Sequence, residues 1–239
     1  MIRAVLDDEG SFATHREAFG VDDDRPWTLP FNAFLARVGE LTVLVDTGLG
    51  PPGEDPFLPE RRGLLPGSLD PAEVDLVVLT HLHVDHVGWN MRDGRPFFPN
   101  ARYVAPRLDY DFFTGAPAGR PYVRVQVIAL EATGRLELVD ADAELAPGVE
   151  LRRAPGHTPG HCVVRLGEAV ILGDLAVHEL QLADPGLADV AEEDPAQAAV
   201  TRRRLLEEHA DGGQVVGLCH LGLGRLRRDG SGFRWEPLG

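Results

Sequence analysis

Short apolar runs recur along the chain, and each breaks off at a polar or glycine-bearing turn. Phe31 to Val38 and Leu41 to Val45 are parted by Gly39-Glu40, which predicts a β-hairpin. Leu76-Val77-Val78-Leu79, Ala101 to Val104, residues 136–139, residues 149–153, Ala169 to Leu172 and Gln214 to Leu218 read as further strands. Gly224 to Trp235 predicts a closing hairpin turning at Asp229-Gly230. A helix is predicted from Asp194 to Glu208, with Asp194 as N-cap and Pro195 at the first position. A helical turn is expected at Pro71-Ala72-Glu73 and a helix near 123–131. The Pro- and Gly-rich stretch 49–70 predicts a long surface loop with a short helix. Strands alternating with helices predict one α/β domain over residues 1–239.

The chemistry sits at the ends of the apolar runs. After Leu79 comes Thr80-His81-Leu82-His83-Val84-Asp85-His86-Val87-Gly88. Strand alternation points His81 and His83 the same way. Asp85 and His86 come after the turn, where a helix can start, and so face a neighbouring point, which suggests two metals. Imidazole and carboxylate suit zinc and its first-row neighbours. Burying four such groups without a metal would leave costly unpaired polar atoms. Elsewhere, Leu41 to Val45 ends in Asp46-Thr47-Gly48, where the carboxylate can orient a histidine or cap the turn. Strand 149–153 leads into Ala154-Pro155-Gly156-His157-Thr158-Pro159-Gly160-His161, whose Gly and Pro fix a tight loop presenting His157. Ala169 to Leu172 ends in Gly173-Asp174; Asp174 can bridge two cations or cap the turn. His178 lies in the next loop, and His220 ends the last buried strand. Candidate ligands at several separate strand ends place the site along one edge of the sheets.

Composition narrows the partners. Of 239 residues, 44% are apolar, ordinary for a globular protein, and no run is long enough to cross a bilayer. The first residues lack a signal peptide's charged start and long apolar core, so a cytoplasmic protein with no membrane partner is expected. The net charge is −15, and every basic residue apart from histidine is Arg. An acidic surface repels a phosphate backbone, which argues against a nucleic-acid partner. Cys162 and Cys219 are too few for a disulfide framework and read as small buried residues. Arg202-Arg203-Arg204 reads as a solvated helix face. The aromatics between Trp89 and Tyr122 divide between core and, beside Gly115 to Gly119, the wall of a substrate pocket.

Together Val45-Asp46-Thr47-Gly48, Thr80 to Gly88, Pro155 to His161, Gly173-Asp174 and His220, in that order, resemble the metallo-β-lactamase-fold hydrolase superfamily over nearly the whole chain. The resemblance implies an αβ/βα sandwich of two mixed β-sheets flanked by helices. It implies that His81, His83 and His157 bind one metal, that Asp85, His86 and His220 bind the other, and that Asp174 bridges them. Asp46 and His161 would support ligands from behind. Gly173-Asp174 followed by His178, Gln181 to Pro185 and Gly232 to Trp235 look most like the branch of methyl parathion hydrolase and lactonases. The chain departs from the acyl-homoserine lactonases at Val177, where they place a Tyr. It also lacks the Lys with which glyoxalase II-like enzymes hold glutathione.

The expected activity is therefore metal-assisted hydrolysis of a small ester, lactone or organophosphate. Two divalent cations, zinc first with manganese, iron or cobalt also compatible, would lower the pKa of a held water to roughly 7. Asp85 or Asp174 would shuttle the proton, and His178 could polarise or protonate a substrate oxygen. Three rivals remain: a nuclease, which needs a basic groove; a mononuclear iron persulfide dioxygenase, which needs one iron; and a metal-binding protein without turnover. The partner expected is a small molecule, with a homodimer possible.

Overall fold

The structure is a computed structural model that describes residues 1–51, 63–115, 120–140 and 142–238. Its strands are β1 (Ile2–Thr14), β2 (Pro26–Val38), β3 (Leu41–Val45), β4 (Leu76–Val78), β5 (Met91–Arg92), β6 (Arg95–Pro96), β7 (Arg102–Pro106) and β8 (Leu136–Val139). After these come β9 (Ala143–Ala146), β10 (Val149–Arg153), β11 (Cys162–Leu166), β12 (Ala169–Ile171), β13 (Val216–Leu218), β14 (Gly222–Asp229) and β15 (Gly232–Pro237). One sheet has the order β1-β2-β3-β4-β7-β8; the other runs β15-β14-β13-β12-β11-β10-β9; β5 and β6 form a separate ribbon. The first sheet turns from antiparallel to parallel at β3, and the second contains one parallel pair, β12 with β13. Both sheets are mixed, as the resemblance implied.

Strand alternation explains the layers. Val43, Val45, Leu76, Val78 and Val104 of the first sheet meet Leu151, Val164 and Ile171 of the second in the central core. Their sequence neighbours Leu44, Val77, Leu79, Tyr103 and Ala105 point the other way, into a core shared with Phe113, Val123, Val127 and Leu130 of the covering helices. In the second sheet Val163, Val170 and Leu172 turn outward against Leu205 and Leu206 of helix Pro195–His209. Runs such as Leu76–Leu79 are apolar throughout because both faces are buried. Two sheets face to face, each with helices on its outer side, make an α/β sandwich.

The hairpin at Gly39-Glu40, the turn at Pro71–Glu73, the closing hairpin and the Asp194 N-cap all appear where expected. Within the 49–70 loop a short helix spans Leu65–Ser68, while residues 52–62 lie outside the described residues, as do 116–119 of the expected pocket wall. Helices Arg107–Gly115 and Glu179–Ala183 and strand β9 were not legible in the sequence. The first mixes aromatic and acidic positions, and only packing separates buried Asp109 and Phe113 from exposed Leu108 and Phe112.

One expectation is corrected. Arg203 and Arg204 are exposed, but Arg202 is buried and is no part of a solvated face. It donates to the carbonyls of Leu175 (2.7 Å), Pro185 (3.0 Å) and Leu187 (2.9 Å) and is paired with Glu192. Gln181 Nε2 donates to Glu192 and to Asp189, at 3.1 Å each. Burial pushes the Glu192 carboxyl up to about 7, although Arg202 pulls it down. In the fold this acid keeps its proton at a pH where the unfolded chain has lost it. Its contribution to stability is therefore full below 4.5 and is lost as pH rises through about 7. The thermal midpoint of Glu192→Gln, relative to wild type, is expected to become more favourable as pH is raised through that window. A difference that stays flat across it would contradict the assignment.

Candidate metal centre

Five strand ends meet at one place. β3 delivers Asp46, β4 delivers His81 and His83, the loop after β10 delivers His157, the turn after β12 delivers Asp174, and the turn after β13 delivers His220. Asp85 and His86 sit on the short helix Val84–Val87. The two sheets are stitched together here: Cys162 N–H donates to Thr80 O (2.9 Å), and Asn32 Nδ2 to Cys219 O (2.8 Å).

His81, His83 and His157 form one cluster. His83 Nδ1 lies 3.1 Å from His81 Nε2 and 3.0 Å from His157 Nε2. Burial, reinforced by the neighbouring rings, holds His81 and His83 well below their ordinary range; burial brings His157 down to about 3, against the pull of Asp174. Three neutral rings thus turn nitrogens toward one another. Ligands about 2.0–2.1 Å from a tetrahedral zinc lie roughly 3.3 Å apart, so this spacing is close to that of a metal set.

Asp85, His86, Asp174 and His220 form the second cluster. His86 Nε2 is 3.3 Å from carboxylate oxygens of both Asp85 and Asp174, and His220 Nε2 is 3.1 Å from Asp174 Oδ2. Burial opposes charge on all of these groups, yet they charge one another. Asp174, Asp85 and Asp46 raise His86 well above its usual value, and Asp174 raises His220. His86 and His220 hold Asp85 down to about 2, while His220 and His86 hold Asp174 well below the carboxylate range. Asp174 Oδ2 also approaches the first cluster, 3.5 Å from His157 Nε2 and 3.9 Å from His81 Nε2. One carboxylate therefore reaches both clusters.

Hydrogen bonds behind the rings fix which nitrogen faces inward. Asp46, in a left-handed conformation (φ 61°) that Asp tolerates, accepts from Thr80 N (2.7 Å), Thr80 Oγ1 (2.8 Å) and His86 Nδ1 (2.9 Å). With its own proton given to Asp46, the Thr80 hydroxyl accepts from His81 Nδ1 (3.0 Å). His220 Nδ1 donates to Pro30 O (2.9 Å). Each arrangement leaves Nε2 aimed into the centre. The fit to a cation is visible in what lacks a partner: His86 Nε2 and Asp174 Oδ1 are buried without a hydrogen bond. Imidazole nitrogens and carboxylates crowded together, with buried atoms that lack partners among them, are what two divalent cations would satisfy. The donor set therefore fits the expected pair.

His161 stands behind the centre. Its Nδ1 donates to Ala154 O (3.1 Å) and its Nε2 accepts from Asp174 N–H (3.1 Å), so both nitrogens are committed. A Cβ at Gly173 (φ 59°) would lie 2.7 Å from that Nε2, so glycine makes the contact possible. Cys162 and Cys219 are buried and free, and Cys219 Sγ donates to Asp46 (3.4 Å). His178 belongs to neither ligand cluster. Its Nδ1 accepts from Leu180 N–H (3.1 Å), and its Nε2 faces His15 Nε2 at 3.3 Å beside Phe19.

Asp109 and Asp7 carried no signal in the sequence, whereas Phe113 and Tyr122 are among the aromatics that it singled out. Asp109 is fully buried and accepts from Leu82 N, Thr158 Oγ1 and Gly160 N. Asp7 braces the loop after β3 through Leu49 N, Leu65 N and Trp89 Nε1. Tyr122 donates to Leu82 O (3.0 Å), and Phe113 lies edge-on to His83 with centroids 5.5 Å apart. Asp109 and Asp7 are lone acids far in sequence from the candidate ligands, so no spacing announces them.

The sequence profile of the metallo-beta-lactamase superfamily matches residues 28–220. The chain belongs to that superfamily. Curated relatives include an N-acyl homoserine lactonase of a Bacillus species, 27% identical over 152 residues, covering 56% of each chain. Another is N-acyl homoserine lactonase AiiB of Agrobacterium fabrum, 32% identical over 161 residues, covering 55% of this chain and 56% of that one. The chain thus spans about half the length of the curated relatives it matches. Among solved structures, the dizinc quorum-quenching lactonase AidC, in complex with a product, superposes with a TM-score of 0.84 at 20% identity, covering 100% of this chain and 94% of that one. The hydrolase AbOPH superposes at 0.83 with 23% identity and the same coverage. These two likenesses show the shared fold.

Proposed function

We propose that the protein is a two-metal hydrolase that opens a small, partly apolar lactone. The observation that carries the reading is Asp174, whose carboxylate reaches His86 and His220 on one side and His157 and His81 on the other. His81, His83 and His157 would hold one cation, Asp85, His86 and His220 the other, and Asp174 would touch both. When bound, the pair supplies Lewis acidity, lowering the pKa of water to roughly 7 and offsetting charge on the substrate oxygen. Zinc suits this set of imidazoles and carboxylates.

The remaining steps fall to the chain. Asp46, acting on His86 directly and on His81 through Thr80, keeps both rings aimed inward. The Asp174 carboxylate takes the proton as the oxygen of water bonds to the acyl carbon. The ring C–O bond then breaks, and the same proton passes to the departing alkoxide. Phe31 stands edge-on to His220 and packs with Phe19, Leu49 and Val177, with Val84 and Leu180 alongside. An apolar cluster beside His220 supports a partly apolar substrate over a polyanion. That the curated relatives are N-acyl homoserine lactonases supports a lactone over the ester and organophosphate alternatives.

The test uses protein purified without chelator. Two divalent ions per chain and opening of N-acyl homoserine lactones, lost on chelation and restored by added zinc, are expected. Aryl esters and phosphotriesters serve as comparison substrates. Unchanged lactone opening after complete metal removal, or two bound ions with no lactone turnover, would overturn the reading.

A further inference from the structure

The three-histidine cluster is assembled from two sheets, and nothing in the chain's covalent path fixes its width. His81 and His83 follow β4 of the first sheet, whereas His157 follows β10 of the second. Asp109 lies in helix Arg107–Gly115, which follows β7. Its Oδ2 accepts from Leu82 N–H at 3.2 Å and from the Thr158 hydroxyl at 2.7 Å, and its Oδ1 accepts from Gly160 N–H at 2.6 Å. Leu82 is the residue between His81 and His83; Thr158 is the residue after His157. A single carboxylate therefore grips both ligand loops.

We propose that Asp109 is a positioning residue that sets the spacing of His81, His83 and His157, and thereby the affinity of that cluster for its cation. The inference rests on the two-cation reading above. Three features argue for a clasp rather than a turn cap. The acceptors reach two segments distant in sequence, whereas a cap serves its own helix or turn. The approach is tight enough to demand glycine: a Cβ on Gly160 would lie 2.5 Å from Asp109 N. The Leu82 residue is held at both ends, its N–H by Asp109 and its carbonyl by the Tyr122 hydroxyl. The second cluster is fixed by other means, His86 through Asp46 and His220 through Pro30 O. Loss of Asp109 should therefore be felt by one cation and not the other.

The experiment is a two-site zinc titration against a competing chelator, with cobalt spectra to identify the site. Wild type, Asp109→Ala and Thr158→Val are compared, with circular dichroism to confirm folding. For Asp109→Ala we expect one site to weaken by roughly 10–100-fold, the scale for groups that orient metal ligands. The other site should be unchanged. Thr158→Val, which removes one of the three bonds, should fall between, and it carries the test alone if Asp109→Ala does not fold. Equal weakening of both sites, or two unchanged sites in the folded variants, would overturn the clasp. Wild type that fails to bind two cations would instead overturn the two-metal reading.

Discussion

Asp174→Ala is expected to abolish lactone opening, lowering kcat/KM by at least on the order of 10³-fold, while the protein stays folded. Groups that merely orient a ligand typically cost about 10–100-fold when removed. Asp174 is proposed to touch both cations and carry the proton, so its loss should exceed that scale. The fold should survive because the backbone bond from residue 174 N–H to His161 Nε2 does not use the side chain. Metal content should fall below two per chain. Steady-state kinetics beside metal analysis check the claim. A folded Asp174→Ala protein within tenfold of wild type would show that the centre works without its shared ligand.

The largest effect on stability is expected at Arg202, far from any reacting atom. At a pH above about 7, where Glu192 is ionised, Arg202→Met should cost about 3–5 kcal/mol, the range for breaking a buried ion pair by removing one partner. The side chain serves the carbonyls of Leu175, Pro185 and Leu187 as well as Glu192. Those carbonyls line the segment that follows Asp174. Glu193 N and Asp194 N, next to Glu192, donate to the carbonyls of His157 and Gly156, at 3.0 Å each. The guanidinium thus backs two ligand-bearing loops at once. For a chain of this size the loss corresponds to a fall in Tm on the order of 10 °C. Pairing the change with Glu192→Gln should recover part of it, because the orphaned carboxylate is then gone. A fall in Tm of only a degree or two for Arg202→Met would remove the network from the account of how these loops are held.

Strong local signals were readable from the chain. The density of candidate ligands in His81 to His86, and the glycines and prolines around His157, pointed to metal chemistry because neighbours in sequence are neighbours in space. The strands were readable because Leu76–Leu79 and Ala169–Leu172 are buried on both faces. Asp109 and Arg202 were not readable. A lone Asp in an aromatic stretch and the first of three arginines look like surface residues until packing surrounds them. His178, whose position after Asp174 suggested that it could polarise or protonate a substrate oxygen, has its ring against Leu180 N–H and His15.

The amino-acid sequence by itself determined which side chains are offered as ligands and which strand each one ends, since alternation and turn chemistry act over a few residues. The tertiary structure alone decided that Asp174 reaches both clusters, which ring nitrogen each histidine turns inward, and which buried carboxylate and guanidinium hold the loops. Those outcomes depend on hydrogen bonds between segments that meet only when the two sheets pack, and no local pattern encodes such a meeting.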